Sequence, residues 1–282
     1  MNQAALTGNR SANQFGKGLF IKTKLPLLLL ALAGSPLTTQ AQNALTYTTN
    51  NGAITITGYV GSFSAVTNVV IPVTINGYPV TKIGDSAFYS CTNLMSLTLG
   101  NSVKNLGSYA FDRCTGLTNV VIPASLTNLG GTFLECTKLT NITVTVGNPV
   151  YSSVNGAVFD KAQKALLICP SGFSGGYAIP NSVTNIGSKA FWGCANLTSV
   201  TIPGSVISID DYAFNDCTGL TGVMIPDSVT SIAGSVFTRC NSLTNISVTV
   251  GNPAYSSVNG VLFDKTKTTL VQFPGGLGGA YT

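Results

Sequence analysis

The residues of this chain with the most versatile side-chain chemistry are its cysteines, because the sequence contains seven of them and no histidine. One lies in SYAFDRCTGLTNVVIP (108–123), and another lies at the same place in DYAFNDCTGLTGVMIP (211–226). A cysteine can act as a nucleophile, ligate a metal, form half of a disulfide or fill space in an apolar core. The elements that position the cysteines decide between these roles.

Six of the cysteines recur at a nearly constant interval. Successive spacings are 23, 22, 58, 23 and 23 residues, so a unit of 23 residues is interrupted once by an insertion of 35. Such self-similarity is typical of repeat proteins, in which each unit contacts only its neighbours. The repeated cysteines are Cys91, Cys114, Cys136, Cys194, Cys217 and Cys240.

Each unit combines two apolar patterns. After the cysteine, apolar residues occur at Leu117, Val120 and Ile122. The last two alternate with one position that we expect to be exposed, which predicts a short β-strand. Before it, the spacing i, i+4, i+5 and i+8, as in Ile83 to Cys91, predicts a short helix of about two turns. Asp85 and its counterpart Asp211 would cap such helices.

A unit of strand, turn and short helix cannot bury its own apolar edge, so we expect successive units to stack into a solenoid. The predicted fold has short parallel β-strands on one face and short helices and turns on the other. The cysteines would form one interior column, and six phenylalanines would form another: Phe88, Phe111, Phe133, Phe191, Phe214 and Phe237.

Two longer segments break the rhythm. Residues 147–170 return as 251–274, at an offset of 104, so three short units and one long one form a super-repeat. Within the long unit, AVFDKAQKALLI predicts a β-hairpin insertion. A further hairpin is predicted around Asn51-Gly52, where it would cover the first rung.

The N-terminus has the features of a secretory signal peptide. Basic residues precede the apolar run LPLLLLALAG, and small residues surround Ala41, where we predict cleavage. The run is too short to span a bilayer as a helix; an uncleaved anchor is the alternative. Removal of residues 1–41 takes four basic residues away, which lowers the formal charge from +5 to +1 and argues against nucleic-acid binding.

The predicted organisation has three parts. Residues 1–41 are the signal peptide, 42–80 a hairpin cap with a first irregular rung, and 81–282 the repeats in two super-repeats. The first copy of the long unit continues into a further rung, whereas the second stops at Thr282. A solenoid normally needs a terminal cap, so we expect the natural chain to continue past this residue.

The pattern IGxxAFxxCxxLTxVxIPxSVTxI, present across Ile83 to Leu106 and Ile186 to Ile209, resembles the BspA-type leucine-rich repeat family of secreted and surface proteins. The resemblance covers nearly all of the chain after Ala44. It implies a leucine-rich-repeat solenoid and, for some relatives, adhesion to extracellular-matrix proteins or to other cells. It implies no catalytic residues.

For the cysteines, the pattern favours a reduced ladder in the core, since each lies in phase with interior Ala and Phe residues. Disulfides between neighbouring rungs and, less readily, a metal site remain alternatives. Cys169 lies outside the ladder, and its counterpart in the second copy is Phe273, which also indicates an apolar role.

Catalysis is not expected. Without histidine the usual general base is missing, and the nine acidic residues are scattered. We therefore predict no enzyme activity and no cofactor or metal. A calcium role for Asp160 and Asp264, in matching hairpin turns, is the alternative.

The predicted function is non-catalytic binding or adhesion through the exposed strand face, with an extracellular protein or glycan as partner. Exposed aromatic residues after the buried phenylalanines (Tyr89, Trp192), together with Leu134 at the same place, could add anchors. A structural spacer within a longer envelope protein is the alternative. The candidate partner-binding residues are Thr98, Asn119, Val121, Asn141, Thr143, Trp192, Thr201 and Met224.

Overall fold

The computed structural model describes residues 45–60 and 66–278, and the regular secondary structure of these residues is all β. The predicted signal peptide (1–41) and the end of the chain (279–282) lie outside the described residues. The strands, numbered along the chain, fall into four groups. The N-terminal group is β1 (Leu45–Asn50), β2 (Ala53–Tyr59), β4 (Thr74–Ile75) and β5 (Tyr78–Ile83).

The second group forms what we call the strand face, with one strand of four or five residues per rung. Its strands are β3 (Asn68–Ile71), β6 (Ser96–Leu99), β8 (Asn119–Ile122), β9 (Asn141–Val144), β13 (Gly175–Ala178), β15 (Leu197–Thr201), β17 (Gly222–Ile225) and β19 (Asn245–Val248).

The third group consists of two-residue strands: β7 (Asn105–Leu106), β14 (Asn185–Ile186), β16 (Ser208–Ile209) and β18 (Ser231–Ile232). Strands β14, β16 and β18 pair in parallel with one another, whereas β7 pairs in parallel with β5. The fourth group belongs to the two long units: β10 (Tyr151–Val154), β11 (Ala157–Asp160), β12 (Ala165–Ile168), β20 (Tyr255–Val258), β21 (Val261–Asp264) and β22 (Leu270–Gln272).

Strands of the strand face pair in parallel, one unit apart. In β8 and β9, Asn119 lies opposite Asn141 and Val121 opposite Thr143. Alternation of exposed and buried side chains follows the sequence pattern, because Val120 and Ile122 point into the core. The predicted parallel strands are therefore present, as the hydrogen-bonded pairs β3–β6, β8–β9, β13–β15 and β17–β19.

The predicted short helices are not present in the described residues. Their segments, which we call the turn side, are consecutive turns at 84–93, 107–116, 130–138, 187–196, 210–219 and 233–242. Left-handed residues such as Ser86 (φ 54°) and Ser90 (φ 57°) interrupt any helix there. Backbone N–H groups instead donate along the solenoid axis to the next rung, as from Phe88 to the Ala110 carbonyl at 2.8 Å.

The helix caps predicted for two aspartates are accordingly wrong. The carboxylate of Asp85 accepts the backbone N–H of Ser108 in the next rung at 3.0 Å, so it ties rungs together. Asp211 contributes its backbone carbonyl, which accepts the hydroxyl of Ser188 at 3.0 Å.

The core differs from the single phenylalanine column that we predicted. Phe88, Phe111 and Phe133 stack with centroid distances of 5.2 Å and 5.6 Å. A second stack of Phe191, Phe214 and Phe237 has distances of 4.8 Å and 5.4 Å. The inserted long unit separates the two stacks, and Tyr177 packs edge-on against Phe191 at the break. The apolar core therefore forms two clusters.

The predicted hairpin insertions are present. In the first long unit β10, β11 and β12 pair antiparallel, and β20, β21 and β22 repeat this arrangement. The buried Asn148 anchors the first unit, since its amide donates to the carbonyls of Pro123 and Leu126 at 2.9 Å and 2.8 Å. Asn252 does the same in the second copy.

The predicted N-terminal hairpin is also present. Strands β1 and β2 pair antiparallel around Asn51 and Gly52, which both have positive φ, and β2 pairs in parallel with β5 of the first rung. The predicted domain boundaries remain a prediction.

Candidate functional site

The strand face carries seven of the eight predicted binding residues. Thr98, Val121, Thr143, Thr201 and Met224 occupy one column of outward positions, and all five are exposed. Val121 is 52% exposed and Met224 61%. The second column contains the exposed Asn119 and Asn141.

The structure does not bring these seven residues into one unbroken ladder. Strands β6, β8 and β9 carry five of the seven residues, and the hairpin of the long unit packs beside β9. There, the Ile142 N–H donates to the Gly156 carbonyl at 2.8 Å. Thr201 and Met224 belong to the second block of strands, where they lie opposite Ala178 and Ser247.

Trp192, the eighth predicted residue, lies on the turn side and not on the strand face. It is partly buried, and its indole Nε1–H donates to Oε1 of Glu135 at 3.4 Å. Lys189 places its Nζ 5.4 Å from the Trp192 ring centroid and 5.7 Å from that of Tyr109. Of the other two predicted anchors, Tyr89 is 37% exposed, whereas Leu134 is buried.

These residues line a pocket of about 200 Å³ on the turn side, which we call the aromatic pocket. The guanidinium of Arg113 lies 5.6 Å from the Tyr89 ring centroid, within cation–π distance. It also pairs with Glu135 through Nε and Nη2, at 2.9 Å and 3.5 Å. The aromatic pocket is lined by Tyr89, Tyr109, Asp112, Arg113, Leu134, Glu135, Lys189 and Trp192.

Asp112 is the buried carboxylate of the aromatic pocket, with 3% of its surface exposed. Its Oδ1 accepts the backbone N–H of Leu134 at 3.0 Å. Burial raises the pKa of Asp112 to about 6, although the Leu134 hydrogen bond and the nearby Lys189 act in the opposite direction. A carboxyl group with such a pKa in a lined cavity is typical of ligand sites.

The aromatic pocket adjoins an open groove of about 500 Å³, with which it shares Arg113 and Glu135. Hydroxyl groups of successive rungs line the groove, among them Thr92, Thr115 and Thr137. A second ion pair, Arg239 to Asp216 at 3.0 Å, lies farther along. The turn side therefore combines aromatic rings, paired charges and hydroxyls.

A family model for the BspA-type leucine-rich repeat region, in six copies, matches residues 38–171 and 176–278. The chain belongs to this family. The resemblance inferred from the repeat motif is therefore confirmed. No curated protein sequence matches the chain.

Three solved structures, two of them described as leucine-rich repeat proteins, are similar to this BspA-type chain. The pneumococcal vaccine antigen PcpA has 20% identity and a TM-score of 0.52, over 65% of this chain and 51% of that one. A protein from Eubacterium ventriosum has 22% identity and a TM-score of 0.49, over 71% and 68%. The T. pallidum protein TpLRR has 29% identity and a TM-score of 0.47, over 71% and 87%. The chain thus spans about half of the pneumococcal structure, and this likeness concerns the fold alone.

The cysteines of the BspA-type repeats are packing residues in this structure. All seven are free and buried. Ladder thiols donate to a main-chain carbonyl of the preceding rung, as from Cys114 Sγ to Phe88 O at 3.3 Å and from Cys217 Sγ to Phe191 O at 3.1 Å. Across residues 45–60 and 66–278, no cluster of three or more His, Cys, Asp or Glu side chains could hold a metal.

The matching aspartates of the hairpin turns have structural partners. Asp264 accepts the backbone N–H groups of Thr268 and Thr269 at 2.7 Å and 2.8 Å, and hydrogen bonds from the Thr269 amide and the Thr266 hydroxyl lower its pKa to about 2. Asp160 accepts the N–H groups of Lys164 and Ala165. Both carboxylates therefore close their turns.

Sequence reasoning missed Tyr109, Asp112, Arg113, Glu135 and Lys189 as neighbours of Trp192. The available signal was variation within the aligned repeat: the residue directly after the invariant Phe is different in each of the six units. Because the core does not dictate these positions, their identities are free to serve a ligand.

In the part of the chain that the structure describes, no helix is long and apolar enough to cross a membrane.

Proposed function

We propose that this protein is a secreted or cell-surface binding protein that acts without catalysis, and that its strand face contacts an extracellular protein or glycan. The observation that carries the proposal is the column of exposed side chains in register over successive rungs, exemplified by Val121 opposite Thr143. Repeat proteins use such extended surfaces to bind partners over several units.

The composition of the strand face supports this role. Val70, Val121 and Met224 are 62%, 52% and 61% exposed, and they alternate with threonines such as Thr98 and Thr143. Mixed apolar and polar surface without charge is typical of the buried centre of an interface. Such a surface selects its partner by shape and hydrogen bonding rather than by long-range attraction.

The rigidity of the sheet supports it further. Beneath the exposed column, Val120, Ile122 and Ile142 are almost fully buried in the first core cluster. A surface that is held in place before binding loses little conformational entropy when the partner docks. Secretion is proposed from the basic and apolar segments of residues 1–41.

The absence of catalysis is proposed from the side-chain chemistry. The chain has no histidine, and the cysteine thiols that could serve as nucleophiles are buried. A buried thiol in apolar surroundings is inert because its thiolate is disfavoured.

The test is binding of the purified protein to arrays of extracellular-matrix proteins and glycans. The variant Thr98→Lys/Thr143→Lys/Thr201→Lys places three large charges on the strand face and is expected to weaken binding by about tenfold or more. The control Val73→Lys/Val146→Lys/Val250→Lys adds the same charge at loop positions that are 52%, 98% and 97% exposed. The control should bind as the unmodified protein does.

Two results would contradict the proposal. Equal loss of binding in both triple variants would show a general charge effect and no role for the strand face. A folded protein that binds nothing on either array would favour the spacer function instead.

A further inference from the structure

We propose that the aromatic pocket binds one pyranose ring of a neutral oligosaccharide, with Tyr109 and Trp192 against the ring and Asp112 accepting from its hydroxyls. This site lies on the turn side, whereas the proposed protein or glycan contact lies on the strand face. The two proposals can therefore be tested separately.

The size of the pocket suits a single ring. At about 200 Å³ it is smaller than the sites of drug-sized ligands, which have about 300 to 1,000 Å³. The adjoining groove, at about 500 Å³, provides room for further rings of the same chain.

The aromatic side chains provide the packing surface. Tyr89 and Tyr109 are 37% and 46% exposed, and Trp192 is partly buried. Each pyranose presents axial C–H groups on a face, and these pack against aromatic rings, while its hydroxyls project sideways to polar partners. Tyr and Trp suit this contact because each combines a broad apolar ring with a polar atom.

The charges of the pocket favour a neutral ligand. Arg113 and Lys189 are cationic, and they lie with the carboxyl groups of Asp112 and Glu135, so the formal charges cancel. An anion would be repelled by the carboxylates of Asp112 and Glu135, and a cation would be repelled by Arg113 and Lys189.

The same groups provide hydrogen bonds for hydroxyls. Lys189 offers three donors on a flexible stem. Asp112 is buried, and its Oδ1 accepts the Leu134 N–H at 3.0 Å. A carboxylate has about four lone-pair sites, so Asp112 can accept a ligand hydroxyl in addition to the Leu134 N–H.

The chain contains its own comparison for the pocket. The aligned segment of the second super-repeat keeps the tyrosine as Tyr212 but has Asn215 and Asp216 in place of Asp112 and Arg113. Asn215 is equally buried, and its amide donates to Asp216 at 2.7 Å. The fold therefore does not require the Asp112–Arg113 combination, which leaves it available for a ligand.

The experiment uses the fluorescence of Trp192, the one tryptophan of the chain. The protein is titrated with neutral hexasaccharides of glucose, mannose, galactose and N-acetylglucosamine, and with a hyaluronan hexasaccharide and choline as anionic and cationic probes. At least one neutral hexasaccharide should shift the emission saturably, and both charged probes should bind more weakly. Calorimetry of the same titration gives the affinity independently of the fluorophore.

The variants separate the pocket from the rest of the surface. Tyr109→Ala and Asp112→Asn should each weaken neutral-sugar binding by about tenfold or more. Asp112→Asn keeps an oxygen for the Leu134 N–H, so it tests the ligand contact without opening the turn. Tyr78→Ala removes a comparably exposed tyrosine (47%) outside the pocket and should bind normally.

The strand-face lysine variant should also retain sugar binding at the aromatic pocket, which distinguishes the two proposals. No saturable shift with any neutral hexasaccharide would overturn the inference. So would tighter binding of hyaluronan or choline, or sugar affinity that is unchanged in both Tyr109→Ala and Asp112→Asn.

Discussion

The buried thiols illustrate how a reactive residue becomes structural through its surroundings. Cys217 donates to the Phe191 carbonyl, and Cys240 donates to the Phe214 carbonyl at 3.0 Å. These thiols therefore satisfy main-chain oxygens inside the core while filling space as small apolar groups. Burial raises the pKa of the Cys217 thiol well above its ordinary value, and Cys240 contributes in the same direction.

We expect the native protein to resist thiol reagents. Iodoacetamide at pH 8 should label few of the seven cysteines in the folded protein and all seven after denaturation in urea, as counted by intact-mass spectrometry. Rapid labelling of the native protein would contradict a closed core. Fewer than seven reactive thiols in denatured, unreduced protein would instead reveal a disulfide.

Two aspartates with opposite pKa shifts give a matched test at the residue scale. The pKa of Asp112 is raised from 3.8 to about 6, so between these values the folded state holds more protons than the unfolded state. Its contribution to stability is therefore present at pH 4 and is lost as the pH rises through about 6. For Asp264 the pKa is lowered to about 2, so its contribution is present above pH 4 and is lost as the pH falls towards 2.

The corresponding experiment is urea unfolding of Asp112→Asn and Asp264→Asn at pH 2.5, 4 and 7. Relative to the unmodified protein, Asp112→Asn should gain stability between pH 4 and pH 7, and Asp264→Asn should lose it between pH 2.5 and pH 4. The same pH trend in both variants would contradict the opposite environments of the two carboxyl groups.

At the element scale, the strands were predictable and the turn side was not. The alternation in Leu117 to Ile122 dictates both the strand and its buried face. The spacing of Ile83, Ala87, Phe88 and Cys91 fits a helix, yet consecutive turns bury the same residues. What decides between them is backbone hydrogen bonding: turns let N–H groups donate to the next rung, whereas a helix would satisfy them internally.

The sequence carries little signal for these turns because non-glycine residues hold their left-handed positions. Tyr109 and Arg113 have φ of 58° and 59° without the glycine or asparagine that usually marks such a conformation. The aromatic pocket was missed for the same reason, since side chains around Asp112 converge only once the turns of adjacent rungs are stacked. By contrast, the exposed residues of the strand face were predictable from the alternation of apolar and polar positions alone.

The stacked phenylalanines connect neighbouring elements, and we expect Phe111 to be costly to remove. Phe111→Ala should lower the free energy of unfolding by about 3 to 5 kcal/mol, because the residue is fully buried between Phe88 and Phe133. Urea denaturation followed by circular dichroism measures the change. Val121→Ala, at an exposed position of the same rung, is the control and should change stability by less than about 0.5 kcal/mol. A loss below about 1 kcal/mol for Phe111→Ala would be incompatible with this packing.

At the scale of the whole molecule, the described repeats form two core clusters joined through the first long unit. Val158 of β11 belongs to the first cluster, whereas Ala157 and Phe159 of the same strand belong to the second. The hairpin therefore continues the core of both blocks while it interrupts the phenylalanine stack. Since each rung contacts its neighbours, energetic coupling should fall off between the blocks.

Double-mutant cycles test this organisation. Phe88→Ala and Phe111→Ala remove two rings that stack at 5.2 Å, so their effects on the free energy of unfolding should be coupled by more than about 0.5 kcal/mol. Phe111→Ala and Phe214→Ala affect separate clusters and should add within about 0.5 kcal/mol. Strong coupling of the second pair would mean that the two core clusters are coupled through the long unit as strongly as neighbouring rings in one continuous phenylalanine column would be. Equal additivity of both pairs would mean that the stacked rings contribute independently, contrary to a core built from neighbour contacts.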